Sequence, residues 1–190
     1  LGPFSMSDLI FIHVPKTGGM SITTFCKQNK SADVKLLRGK RPHASAIEIR
    51  ETLGAEVFDS ATKFAVVRDP MERFRSACRQ GYVRPNSRRV RALTSITRYP
   101  RQHRASLLGR QSDMLCIDGE LMVDKLFKFE EDVPDGVFSW LIEQGYNVKE
   151  GQEFPHMHQR RVKTPEPLSP ETIEWVHEFY APDYEMFGYE

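Results

Sequence analysis

Leu9-Ile10-Phe11-Ile12-His13-Val14-Pro15-Lys16-Thr17-Gly18-Gly19-Met20-Ser21 decides how the chain reads. Leu9 to Val14 is a short apolar run whose β-branched and aromatic content suits a buried strand. Pro15 has no amide hydrogen to give a ladder, so the strand ends there, and Gly18-Gly19 permit a tight backbone. From Met20 the period becomes helical, with Ile22, Phe25 and Cys26 on one face. Strand, glycine loop and helix in this order bring loop amides and a helix N-terminus to one spot. Lys16 adds a full positive charge there, so the stretch is a candidate anion site. Short glycine motifs occur widely, and taken alone the stretch reads equally well as an ordinary strand-to-helix turn with a surface lysine.

A second stretch shifts that balance. Lys63 to Val67 is another buried-strand run, followed at once by Arg68-Asp69-Pro70. Asp69 is a good N-cap and Pro70 suits the first helical position, so a helix is predicted to start there, with Met71, Phe74, Ala77 and Cys78 on its apolar face. Arg68 then stands at the carboxyl end of a strand, where open α/β sheets bind ligands, and Ser76 lies about two turns along the helix. A guanidinium in that place, with a hydroxyl nearby, can fork onto a phosphate.

Together these residues carry a family resemblance. Pro15-Lys16-Thr17-Gly18-Gly19-Met20-Ser21 resembles the 5′-phosphosulfate loop of the sulfotransferases, and Arg68-Asp69-Pro70 with Arg73 and Ser76 resembles their 3′-phosphate motif. The likeness is to the carbohydrate-type branch, sulfotransferase family 2. It extends through His43-Ala44-Ser45-Ala46, Phe127-Lys128-Phe129-Glu130 and the tail from Phe179 to Tyr189, so it spans nearly the whole chain in order. One position departs: the family usually has Thr where this chain has Met20, which removes a side-chain hydroxyl but leaves the backbone amide. The resemblance implies an α/β fold of three layers with a central, mainly parallel, P-loop-like sheet. It also implies 3′-phosphoadenosine-5′-phosphosulfate (PAPS) as donor, PAP as product, and no metal. On that basis Pro15, Lys16, Thr17, Gly18, Gly19, Met20 and Ser21 would hold the 5′-phosphate and the transferring group. Arg68 and Ser76 would take the 3′-phosphate, and Lys16 would also be catalytic.

Between the two motifs, Val34-Lys35-Leu36-Leu37 reads as a strand, Arg38 to Pro42 as a basic loop, and Ala44 to Leu53 as a helix stopped by Gly54. His43 stands just before that helix. In the family this is where a catalytic histidine is often found, so the resemblance implies His43 as the base of an in-line displacement, whereas the residue alone reads better as a helix-capping or surface histidine. His13 lies inside the first strand run and reads as packed.

The chain of 190 residues, with a formal charge of +1, fits one soluble domain over residues 6–190; Leu1 to Ser5 ahead of Met6 read as an expression remnant. Cys26, Cys78 and Cys116 are an odd number without metal spacing, which reads as reduced core thiols in a cytoplasmic protein. A targeting or anchoring segment trimmed from the natural chain is compatible with such a start, and no apolar run reaches transmembrane length. Residues 73–112 contain eleven arginines and no Asp or Glu. No recognisable nucleic-acid motif accompanies them, and Tyr82 and Tyr99 are too sparse for a stacking platform. An anionic acceptor and a solvated face explain that charge equally well. Helices are predicted over 87–97 and 102–108 within it.

In the last third, Lys125 to Phe129 reads as a strand, and Gly136 to Gln144 and Glu171 to Tyr180 as helices. The family's cofactor-closing loop would follow Phe154 to Arg161, which makes Arg160, Arg161 and Lys163 further candidates for phosphate contact. His156 and His158 lack a third ligand and are weak as a metal pair. The expected partner is a hydroxyl-bearing acceptor, a carbohydrate or small alcohol. Two other classes compete with this reading. A nucleoside-triphosphate enzyme is disfavoured because Lys16 precedes the glycines, the reverse of the Walker order. A nucleotide- or polyanion-binding module without chemistry is the alternative to the enzyme.

Overall fold

The computed structural model describes residues 8–29, 31, 34–81, 83–88, 108–148, 152, 154–155 and 166–190. In chain order its elements are β1 (Leu9–Phe11), α1 (Gly19–Gln28), β2 (Leu36–Leu37), α2 (Ala46–Leu53), α3 (Ala55–Ser60), β3 (Thr62–Val67) and α4 (Pro70–Arg79). There follow α5 (Gln111–Leu115), β4 (Cys116–Ile117), β5 (Glu120–Leu121), β6 (Lys125–Lys128), α6 (Phe129–Asp132), α7 (Asp135–Glu143), α8 (Pro170–Phe179) and α9 (Ala181–Phe187). The predicted helices over 87–97 and 102–108 fall almost wholly outside the described residues, as does the amino-terminal stretch 1–7.

Among the described residues the central sheet has four strands in the order β2-β1-β3-β6, every pair parallel. Residues alternate between its faces, as the two-residue period of a strand requires. Ile10, Ile12, Ala65 and Val67 face one layer, where they meet Ala46 and Ile49 of α2, Phe58 of α3, Met114 and Leu115 of α5, and Phe187 of α9. Leu9, Phe11, Phe64, Val66 and Phe127 face the other, against Ile22 and Phe25 of α1 and Val137 and Leu141 of α7. Three layers with a sheet buried on both sides explain why the strand segments are continuous apolar runs. A separate cluster packs Phe74, Ala77 and Cys78 of α4 against Val176, Phe179 and Tyr180 near the carboxyl terminus.

The strand predicted over Leu9 to Val14 is shorter in the structure. The Ile12 N–H still donates to the Phe64 carbonyl, but the Val14 N–H turns back to the Ile12 carbonyl, so the ladder unravels before Pro15. Gly54, at φ 88, ends α2 as expected, yet a second short helix starts directly after it. The β4–β5 hairpin lies outside the predicted elements; its turn is Asp118-Gly119, both at positive φ, a pairing that suits a two-residue hairpin.

Order β2-β1-β3 places a topological switch between β1 and β3: the chain leaves β1 toward one side of the sheet and returns to the other side for β3. Ligands bind at such a crevice, at the carboxyl ends of the strands. The segment after β1 is the glycine loop, and the segment after β3 is Arg68-Asp69-Pro70.

Candidate active site

At the first turn, Lys16 has φ 70 and Gly18 φ 78, both left-handed. A lysine in that region is uncommon and holds its backbone there only because its surroundings fix it. Two left-handed residues curl the loop in a way that suits amides gathering around an anion. Helix α1 starts at Gly19 without a side-chain cap, and the Ser21 N–H donates back to the Gly18 carbonyl at 2.9 Å. The Thr17 side chain is fully buried, and its hydroxyl donates to the Val14 carbonyl at 2.9 Å. Only its backbone is offered to a ligand. Gly19 has no alternative: a Cβ there would lie 2.1 Å from the His13 ring. Met20 is exposed and Ser21 buried.

His13 is packed, as expected, and burial first, then His43 and Arg38, push its pKa down to about 3, so it stays neutral. Its carbonyl is what reaches His43. His43 Nδ1 lies 3.1 Å from that oxygen, and the two rings meet edge-on with centroids 4.3 Å apart. A carbonyl can only accept, so Nδ1 is assigned as the donor, which leaves the lone pair of neutral His43 on Nε2. The loop carrying His43 is clamped by Glu48. That carboxylate accepts from the Ser45 N–H at 2.8 Å, from the Ser45 hydroxyl at 3.0 Å and from two nitrogens of Arg41. These contacts hold Glu48 below the ordinary carboxylate range against the opposing effect of burial.

At the second turn, the Asp69 carboxylate accepts from the Glu72 N–H at 2.7 Å and Pro70 opens α4, the predicted cap. Arg68 reaches back to the loop, donating from Nη1 to the Lys16 carbonyl at 3.3 Å. Its guanidinium lies over the Phe129 ring, 4.3 Å to the centroid, with Glu130 at 3.8 Å. Burial lowers the Lys16 pKa to about 8, helped by the nearby charges of Arg68 and Arg79. The same two causes, burial and Arg79, act on Arg68, whose shift Glu130 opposes. Three cations therefore converge at one crevice, partly withdrawn from water and only partly offset by Glu72 and Glu130, an arrangement that fits a multiply charged anion.

Arg73, placed with the 3′-phosphate motif on sequence grounds, is a brace instead. It is 1 % exposed and donates to the Pro15 and Gly109 carbonyls, with its guanidinium near the Tyr180 ring. Ser76 is half-buried on α4, in line with Asp69, Glu72 and Arg79 at helical spacing. Of the arginine-rich segment, Arg75 and Arg79 pair with Glu72, and Arg110 donates to the Phe179 carbonyl. Arg84 and Arg88 are exposed. Arg160, Arg161, Lys163, His103, His156 and His158 lie outside the described residues. Cys26 and Cys78 are buried, and burial pushes their thiols up to about 12 and about 11; Cys116 is half-buried in the hairpin rather than in the core.

The sequence reading missed two residues as individuals. Arg79 was one of many arginines, and only its place in the 69–72–76–79 stripe set it apart. Gln111 carried no local signal.

The anion loop, the arginine after β3 and the histidine after β2 meet at the switch point of a parallel α/β sheet, and the comparison with protein families agrees. A model described as "Sulfotransferase family" matches residues 5–190, and the chain belongs to that family. Its fold is the family's α/β arrangement, and its chemistry in general terms is sulfuryl transfer to a hydroxyl-bearing acceptor. Neither curated proteins nor solved structures gave a match. Among the described residues no helix is long and apolar enough to cross a membrane.

Proposed function

We propose that this protein transfers a sulfuryl group from PAPS to an acceptor hydroxyl, on a carbohydrate or small alcohol, by in-line displacement with His43 as base. The observation that carries the reading is the meeting of three chain segments at the carboxyl end of the sheet. Arg68 bonds to the Lys16 carbonyl and His43 to the His13 carbonyl, so the loop is tied to both side-chain contributors.

When bound, PAPS supplies an activated sulfuryl group. The amides of Thr17 to Ser21 receive the 5′-phosphate side, and Arg68 with Ser76 takes the 3′-phosphate; Arg79 stands close enough to add charge to the same anion. Lys16 neutralises the negative charge that grows on the bridging oxygen as the sulfur–oxygen bond breaks, an effect realised mostly in the transition state. His43 Nε2 takes the proton of the acceptor hydroxyl as its oxygen bonds to sulfur. Arg41, Ser45 and Glu48 fix the loop, so that the ring keeps one edge on the His13 carbonyl. Glu48 itself, saturated with donors and held ionised, is a poor candidate for the base. The chain's three thiols are unpaired, which supports a reducing, cytoplasmic setting.

A screen of hydroxyl-bearing acceptors with PAPS, reading PAP release, tests the reaction. His43→Ala is expected to lower turnover by about 10²-fold or more, as for loss of a general base, with PAP affinity unchanged. Turnover retained in that variant would place the base elsewhere.

A further inference from the structure

We infer that Gln111 is a positioning residue for the anion site: its side-chain amide continues the sheet beyond the end of β3 and fixes the backbone of Arg68. The Arg68 N–H donates to Gln111 Oε1 at 2.9 Å, and Gln111 Nε2 donates to the Arg68 carbonyl at 2.8 Å. A primary amide presents one acceptor and one donor in a plane, which is what a neighbouring strand offers to a residue in a ladder. Strand β3 pairs with β6 only as far as Val67 opposite Lys128. One residue later, where a ligand-binding side chain must leave the sheet at a defined angle, Gln111 supplies the missing pair of bonds.

The amide is itself held from the far end of the chain. Asp183, fully buried in α9, accepts from the Gln111 N–H at 2.8 Å, from the Ser112 N–H at 2.9 Å and from the Ser112 hydroxyl at 2.7 Å. The same short segment is pinned by Tyr180, which donates to the Leu108 carbonyl, and by Arg110, which donates to the Phe179 carbonyl. Gln111 is fully buried and inaccessible to a ligand. Its bonds therefore serve Arg68, and the carboxyl-terminal helices act on the anion site through it. The inference rests on the reading of Arg68 as the reader of the 3′-phosphate.

The test uses the full chain, with PAP and ADP as probes, because ADP lacks the 3′-phosphate. Gln111→Ala is expected to weaken PAP binding about tenfold, as for two hydrogen bonds lost behind a charged contact, while ADP binding is unchanged. Arg68→Ala is expected to weaken PAP binding by about 10–100-fold, and adding Gln111→Ala to it should cost little more, because both act on one interaction. Gln111→Glu keeps the acceptor for the Arg68 N–H but sets a carboxylate oxygen against the Arg68 carbonyl at a fully buried position, so it should weaken PAP binding at least as much as Gln111→Ala. Exchange of the Arg68 amide hydrogen provides a readout independent of nucleotide and is expected to quicken in Gln111→Ala, which removes its acceptor, and not in Gln111→Glu, which keeps it.

PAP binding unchanged in Gln111→Ala, or equal weakening of PAP and ADP, would overturn the inference while leaving the donor reading intact. Unchanged exchange of the Arg68 amide in Gln111→Ala would overturn it too, as would loss of the fold in both Gln111 variants, since Gln111 would then be a core residue. Faster exchange in a protein whose wild type ignores PAP would uphold the anchor and refute the donor reading.

Discussion

The two strand-to-helix turns that frame the crevice solve one problem in opposite ways. After β1 the backbone does the work: two left-handed residues and a helix start without a side-chain cap. After β3 the turn is ordinary, with Asp69 capping the helix and Pro70 opening it, and the ligand-facing part is a side chain, Arg68. The first turn starts its helix on backbone bonds to the Gly18 carbonyl alone; the second caps its helix with a side chain. Damage to the first should therefore appear in function, and damage to the second should split into a stability effect at Asp69 and a binding effect at Arg68.

The largest effect is expected at Lys16. Lys16→Ala should lower turnover by roughly 10²–10³-fold, the scale of a lost group that stabilises charge in the transition state, with a smaller loss of PAP affinity. Equal turnover would break the contrast, because damage to the first turn would then not appear in function.

A pH series sharpens it. Burial and the neighbouring arginines hold Lys16 at about 8 in the free protein, and a bound phosphate favours its ammonium form. Affinity for PAP should therefore change little around pH 7 and fall as pH rises above 8, by up to about tenfold per unit, since the proton must be regained on binding. Lys16→Arg, which stays charged, should lose that limb of the profile. A pH-independent affinity in the parent protein would show that Lys16 does not face the phosphate.

The smallest effect is expected at the second turn's cap. Asp69→Ala removes the bond to the Glu72 N–H and should cost about 1 kcal/mol of stability in denaturant unfolding, with PAP affinity nearly unchanged. A large affinity loss without destabilisation would mean that the Asp69 cap, too, serves the ligand.

Much of the fold was legible locally. The runs at residues 9–14 and 63–67 are buried on both faces, so they show as unbroken apolar segments, and the cap at Asp69 is a single-residue signal. The edge strand β2 is two residues long and carries little pattern. The glycine loop was legible because a positive φ and a close approach both demand glycine.

What could not be read were pairings between distant residues. His43 meets the His13 carbonyl across thirty positions, and Gln111 meets Arg68 across forty-three. Neither residue has a local period or cap chemistry that names its partner. Arg73 shows the same limit: in sequence it sits one helical turn from the cap, indistinguishable from a ligand-facing arginine. Only the packing of α4 against the carboxyl-terminal helices shows that it points inward.

Calorimetric titration with PAP, with ADP in parallel, tests the central claim most directly. Tight binding of PAP with weak binding of ADP is the predicted result, because Arg68 and Ser76 are then reading a 3′-phosphate. Equal affinity for the two nucleotides, or no binding of PAP, would contradict the assignment of this crevice to PAPS.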